Sequence, residues 1–117
     1  MNDEKSFDEY NKPRLVENLD AKTFEQNLKD DKDAILIDVR TPMENQTKRI
    51  PNSLLIDISN PQFLSEIGKL DKNNNYYLYC HSGSRSFVAG MHMISLGFSK
   101  VSHLQSGITG WNGETEP

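Results

Sequence analysis

The sequence is poor in the features that mark several protein classes. It holds a single cysteine in 117 residues, so an internal disulfide is excluded and a reducing compartment is expected. No apolar run approaches the ~18 residues of a membrane span. The opening Met1-Asn2-Asp3-Glu4-Lys5 lacks the apolar stretch of a signal peptide, which makes the cytoplasm the expected location. Positive charge is not in excess: 13 basic against 17 acidic side chains leave a net charge of -4. That balance argues against a nucleic-acid partner gripped by a broad basic face. There is no repeat of solenoid period and no glycine-rich nucleotide signature. His81, His92 and His103 with one cysteine show no metal-ligand spacing. Neither metal nor cofactor is expected.

What is present suits one domain of ordinary size. Residues 1–13 are polar and mixed in charge, with only Phe7 and Tyr10 as large apolar groups, and read as a flexible leader; residues 14–117 read as a single domain. Leu15-Val16 is a short strand candidate, and Asp20 caps a helix that sets Phe24 and Leu28 on one face. Ala34-Ile35-Leu36-Ile37-Asp38-Val39 is apolar on both parities, as in a strand covered on both sides. Thr41-Pro42-Met43-Glu44 is a capping box with proline at the first helical position. Leu54-Leu55-Ile56-Asp57-Ile58 reads as a third strand. Asn60-Pro61 reads as a helix start, with Leu64 and Ile67 toward the core and Gly68 as the stop. Tyr76-Tyr77-Leu78-Tyr79-Cys80 is an aromatic-rich fourth strand. Residues 86–96 predict a helix that is apolar nearly all round and largely buried; residues 101–104 predict a last strand, and 108–111 a final turn. Such alternation predicts an α/β fold, an open parallel sheet of about five strands with helices on both faces.

One constellation carries chemistry. Cys80 stands where the fourth strand ends, followed by the polar loop His81-Ser82-Gly83-Ser84-Arg85 and then a helix. Ligands collect at the carboxyl ends of strands in open α/β sheets. A helix N-terminus presents free N–H groups to an anion, and Gly83 lets successive N–H groups turn inward. Moving a thiol from about 8.5 to about 6.5 requires roughly 2.7 kcal/mol of preference for the thiolate. A helix terminus contributes about 0.3–1 kcal/mol, up to ~2 at best. Loop N–H donors and the charge of Arg85 must then supply the remainder. The alternative, a buried inert core thiol, fits poorly with so polar a continuation.

The run Cys80-His81-Ser82-Gly83-Ser84-Arg85-Ser86 resembles the active loop of the rhodanese-like sulfurtransferases. Leu36-Ile37-Asp38-Val39-Arg40-Thr41-Pro42-Met43-Glu44 resembles the family's Asp-Val-Arg segment, and Ile50-Pro51 part of its next signature. Leu104-Gln105-Ser106-Gly107-Ile108 with Trp111 is similar to its closing Gly-Gly-Ile…Trp segment. The pattern departs from the family at Lys48-Arg49, Asn52-Ser53 and Ser106. The resemblance implies a rhodanese-like domain over residues 14–117 with Cys80 as nucleophile. Cys80 would take sulfur from a small anionic donor such as thiosulfate, become a persulfide, and pass the sulfur to cyanide, a thiol or a sulfur-relay protein. It places His81, Ser82, Gly83, Ser84 and Arg85 in the substrate-binding loop.

Other readings stay open for several of these groups. Ser82 and Ser84 are loop and N-cap residues first. His81 reads as an exposed loop histidine, with tuning of the thiol as its alternative. Arg85 either shapes the loop or meets the donor. Asp38 and Arg40, at a strand end, either support the loop or meet the donor, and Arg40 is expected to pair with Glu44 across the helix start. Arg49 either contacts the donor or is solvated, and Trp111 packs. Two other functions share this pattern. One is a cysteine-based phosphatase or arsenate reductase of the same fold, whose members carry five residues between cysteine and arginine where this chain has four. The other is a persulfide carrier or redox-sensing module without turnover.

Overall fold

The computed structural model describes residues 15–117; the reading of residues 1–13 as a flexible leader lies outside the described residues. The alternation of apolar runs and capped helices resolves into five strands. These are β1 (Glu17–Leu19), β2 (Ala34–Asp38), β3 (Leu54–Leu55), β4 (Asn75–Tyr79) and β5 (Val101–Leu104). Between them run α1 (Ala21–Asp30), α2 (Pro42–Thr47), α3 (Phe63–Gly68) and α4 (Ser84–Ser95), and a 3-10 turn (Ile108–Gly110) follows β5. The strands pair in the order β1-β5-β4-β2-β3, and every pairing is parallel. β4 is therefore central, and Cys80 leaves its carboxyl end. The expected α/β sheet is the one observed.

Side-chain alternation divides the core in two. Tyr76, Leu78 and Cys80 face one layer with Ile37, Val39, Phe63, Ile67, Ala89 and Met93. Tyr77 and Tyr79 face the other with Leu36, Phe24, Leu104 and Ile108. The first layer is covered by α3 and α4, the second by α1, so helices lie on both faces. Trp111 closes the second layer, its ring edge-on to Phe24 at 6.1 Å. Among the described residues no helix is long and apolar enough to cross a membrane.

The capping predictions hold at two helices. Asp20 accepts from the Thr23 N–H at 2.8 Å, and the Thr41–Glu44 capping box is complete. Elsewhere local patterns misplace the elements. The first strand begins at Glu17, because Val16 turns inward against Gly90 and the ladder with β5 starts only at the Glu17–Ser102 pair. β3 stops after Leu55, although Ile56 and Ile58 still donate to the Asp38 and Val39 carbonyls. Asn60-Pro61 forms a turn instead of a cap. The helix begins at Phe63, so Phe63 and Ile67 are the buried pair and Leu64 faces outward. α4 starts two residues before its expected position. It buries only the stripe Ser86, Ala89, Gly90 and Met93, leaving Phe87, Val88, Met91 and Leu96 exposed.

Candidate active site

The backbone after β4 turns sharply. Gly83, at φ 106°, is the residue before α4; a Cβ there would stand 2.0 Å from the Gln105 carbonyl oxygen. The neighbouring wall is as tight: a Cβ on Gly107, at φ 69°, would meet the His81 carbonyl oxygen at 2.1 Å. Backbone bonds fasten the two segments, Ile108 N–H to the Cys80 carbonyl at 2.9 Å and Thr109 N–H to that of His81 at 3.2 Å. Both positions need glycine, for φ and for space. The turn after β5 therefore holds the loop after β4 in one shape.

That shape closes on the sulfur. The Gly83 N–H donates to Cys80 Sγ at 3.1 Å, and Ser86 Oγ lies 3.5 Å from the same atom. Burial pushes the thiol up, while the Ser86 hydroxyl and the N–H groups of Ser86, Gly83 and Ser82 pull it down. The donors prevail, and Cys80 ionises below the ordinary cysteine range. The polar continuation argues against a buried thiol, yet in the structure Cys80 has no accessible surface. The loop is short enough that Gly83 folds back over Sγ, and the exposed groups are His81, Ser82 and Ser84. An inert thiol in apolar surroundings has its ionisation suppressed; this one is covered by donors.

The remaining charges are matched differently from the expected pairing. Arg85 binds Glu44 through two parallel bonds, Nη1–Oε1 2.8 Å and Nη2–Oε2 2.9 Å. This contact, against the opposing effect of burial and with help from Thr41, draws the Glu44 carboxyl down to about 2. Arg85 is thus neutralised by its partner, and the Ser86 hydroxyl holds the place beside sulfur that the arithmetic assigned to Arg85. Arg40 pairs with Asp38, not Glu44, through Nε–Oδ1 2.9 Å and Nη2–Oδ2 2.8 Å. Both are buried. Asp38 also accepts from Asn45 and from the Tyr79 hydroxyl, while Arg40 reaches the Lys48 carbonyl. This network lies under α2, which carries Glu44, and so supports Arg85 from below. Arg49 is held by Glu116 at 3.0 Å, and their backbones form an antiparallel bridge, which fastens the end of the chain beside β3. Ser84 lies in the first turn of α4, and no side chain caps that helix.

Two site residues were not singled out from the sequence. Ser86 contacts the sulfur, and His103 on β5 contacts Ser86 at 2.8 Å. Ser86 follows the loop directly, and that adjacency was a usable signal. His103 is 23 positions from Cys80, and only the β4–β5 pairing, which sets Leu78 opposite His103, brings it near.

Known proteins share the sequence pattern and the fold. The family described as Rhodanese-like domain matches residues 20–114. A sulfurtransferase of Allochromatium vinosum is 34% identical over 99 residues, covering 83% of this chain and 89% of that protein. A Mycobacterium tuberculosis protein named "Probable adenylyltransferase/sulfurtransferase MoeZ" is 37% identical over 82 residues, which is 70% of this chain and 21% of that longer protein. The solution structure of a rhodanese-like domain from Anabaena superposes with a TM-score of 0.75 at 22% identity, over 87% of this chain and 80% of that one, and shows the shared fold.

Proposed function

Because the chain belongs to the rhodanese-like domain family of sulfurtransferases and sulfur carriers, we propose that it moves sulfane sulfur through a persulfide on Cys80. The observation that carries this reading is the Gly83 N–H aimed at Cys80 Sγ at 3.1 Å, within a loop whose other amides also favour the anion. In the first half-reaction the Cys80 thiolate attacks the outer sulfur of thiosulfate. The sulfur–sulfur bond of the donor breaks, sulfite leaves with the electron pair, and Cys80 carries a terminal, negatively charged sulfur. In the second, cyanide or a thiolate attacks that sulfur, and the bond to Cys80 breaks to return the thiolate. Amides that hold the thiolate suit the persulfide anion equally, since charge-assisted bonds are the strong ones. Cys80 is the chain's single cysteine, so no internal thiol competes to expel the sulfur as a disulfide.

His81, Ser82, Gly83, Ser84 and Arg85 form the donor-binding loop in this reading, with Arg85 acting through its grip on Glu44. Asp38 and Arg40 hold α2 in place, and Arg49 anchors the chain end. Cys80 has no accessible surface, so a thiosulfate ion reaches Sγ only when the loop that folds back over it at Gly83 opens. A second reading is a carrier loaded by a sulfur-relay partner in the cytoplasm. The domain's likeness to part of a longer adenylyltransferase/sulfurtransferase supports such a partner.

A donor screen following thiocyanate formation tests the proposal. Turnover with thiosulfate that Cys80→Ser reduces below a few per cent of wild type is the expected result. Residual activity in that variant refutes the role of Cys80. Turnover of an aryl phosphate at a comparable rate replaces the proposal with a phosphatase.

A further inference from the structure

Behind the sulfur runs a line of three side chains that the loop does not account for. Ser86 Oγ stands 3.5 Å from Cys80 Sγ and 2.8 Å from His103 Nδ1. The other ring nitrogen, Nε2, is 2.6 Å from Asn18 Oδ1. Ser86 and His103 are buried on α4 and β5, and Asn18 lies at the edge strand β1. The edge pairing sets Asn18 directly opposite His103.

Hydrogen-bond chemistry gives the line a direction. An amide oxygen only accepts, so Nε2 carries the proton and donates to Asn18. A neutral ring then has a bare Nδ1, which at 2.8 Å accepts from the Ser86 hydroxyl in preference to the Gly83 carbonyl at 3.2 Å. The Ser86 oxygen is left with its lone pairs toward Sγ, and the thiol proton points at it. We propose that His103, acting through Ser86, is the proton acceptor for Cys80, with Asn18 fixing the tautomer that makes it one. The step balances: the thiol proton passes to Ser86 Oγ as the Ser86 proton passes to His103 Nδ1. Thiolate and imidazolium result, and Nε2–H still donates to Asn18. Afterwards the Ser86 hydroxyl donates to sulfur, and the Nδ1–H donates to Ser86. In the resting thiol form the hydroxyl serves the imidazole; after transfer it serves the thiolate.

The surroundings suit this role. Burial holds the imidazole below the ordinary histidine range, so the ring is neutral with its lone pair available when sulfur is protonated. Ser86 and Phe87 face it from α4, the Phe87 ring centroid at 5.6 Å, and Asn18 faces it from β1. Among these described groups none carries a fixed charge, so the thiolate is the charge that favours imidazolium. Glu17 and Ser102, bonded to each other at 3.1 Å, alternate to the opposite face of their strands.

The inference rests on Cys80 as the nucleophile, yet its test reads protonation and not sulfur transfer, so the two fail separately. Nitrogen-15 NMR of the His103 ring is followed against pH in the full chain and in Cys80→Ala. The expected result is an Nε2–H tautomer and a His103 proton held at least tenfold more tightly when the thiolate is present. Linkage requires that a protonated His103 favour the thiolate over the thiol by the same factor, and His103→Gln, which cannot take the proton, is expected to lose that gain. Ser86→Ala separates a bonded line from charge acting through space, and is expected to cut the coupling at least threefold. A His103 titration that Cys80→Ala does not move, or a coupling that survives Ser86→Ala in full, overturns the proposal. The comparison of the wild type with Cys80→Ala and Ser86→Ala stands even if His103→Gln fails to fold, because a merely structural histidine would sense the sulfur only through space, with or without the Ser86 hydroxyl.

Discussion

Placing a methyl group at Gly107 sets stability against the shape of the loop. In Gly107→Ala the new Cβ would stand 2.1 Å from the His81 carbonyl oxygen and 2.5 Å from the Ser82 nitrogen. Ordinary contact begins near 3.4 Å, so the loop must retreat by about 1.3 Å, the difference between those two carbonyl distances. The residue also sits at φ 69°, ψ -173°, where alanine costs about 1–3 kcal/mol. Overpacking adds roughly 1–3 kcal/mol if the loop stays in place. If it yields instead, the amides over Sγ move away. One such bond to a charged group contributes about 1.5–3 kcal/mol, equivalent to a rise of about 1–2 pKa units in the thiol. Urea unfolding and the 240 nm thiolate absorbance against pH together read both routes. The expected outcome is a loss of about 2–5 kcal/mol, a thiol shifted upward, or a division between the two, with sulfur transfer falling in either case. Gly68→Ala is the control, since nothing lies within 4 Å of its new Cβ; it should change stability by under about 1 kcal/mol. A Gly107→Ala protein with wild-type unfolding and wild-type thiol titration would refute the clamp between the two turns.

Two further perturbations test the supporting charges. Asp38→Asn leaves the Arg40 guanidinium buried without its carboxylate, and should destabilise the fold by about 3–5 kcal/mol in urea; a loss below 1 kcal/mol would show that the network carries little. Glu44→Gln removes a carboxylate whose pKa falls from 4.5 to about 2 on folding. Side chains exposed to about a third screen the pair, so roughly 1 kcal/mol is expected rather than the ~3.4 that the shift alone would give. The folded value lies below the unfolded one, so this stabilisation is complete above about pH 4.5 and is lost as pH falls toward 2. Wild type and variant should therefore converge in stability as pH falls through about 2; a difference at pH 2 as large as that at neutral pH would contradict the pairing.

The sheet was legible because the central strands β2 and β4 are apolar on both parities and two crossovers carry caps that bond locally. Thr41-Pro42 and Asp20 announce their helices by side chains that bond locally, which is what sequence spacing can report. Asn60-Pro61 carries the same signal but spends it on a turn, because Phe63 and Ile67 must reach the core together. Edge strand β1 was misplaced by two residues: Glu17 and Asn18 are polar, and their pairing with Ser102 and His103 is a long-range fact. Cys80, the proposed nucleophile, and the loop after it were visible as one contiguous run. The charge pattern around them was not. Arg85 meets Glu44 across 41 positions, and Arg40 turns back to Asp38 instead, so local spacing pointed to the wrong pair. His103 was invisible for the same reason, being near Cys80 only once β4 and β5 lie side by side.

The account rests on a sulfur that is covered, yet ionises readily enough to take and hold a second sulfur. Peptide mass spectrometry after thiosulfate treatment measures that directly. The account predicts a gain of ~32 Da, one retained sulfur, confined to the peptide bearing Cys80 and discharged by cyanide. A peptide that stays unmodified by thiosulfate and by any other sulfane donor, with a thiol that titrates as a free cysteine does, would contradict it.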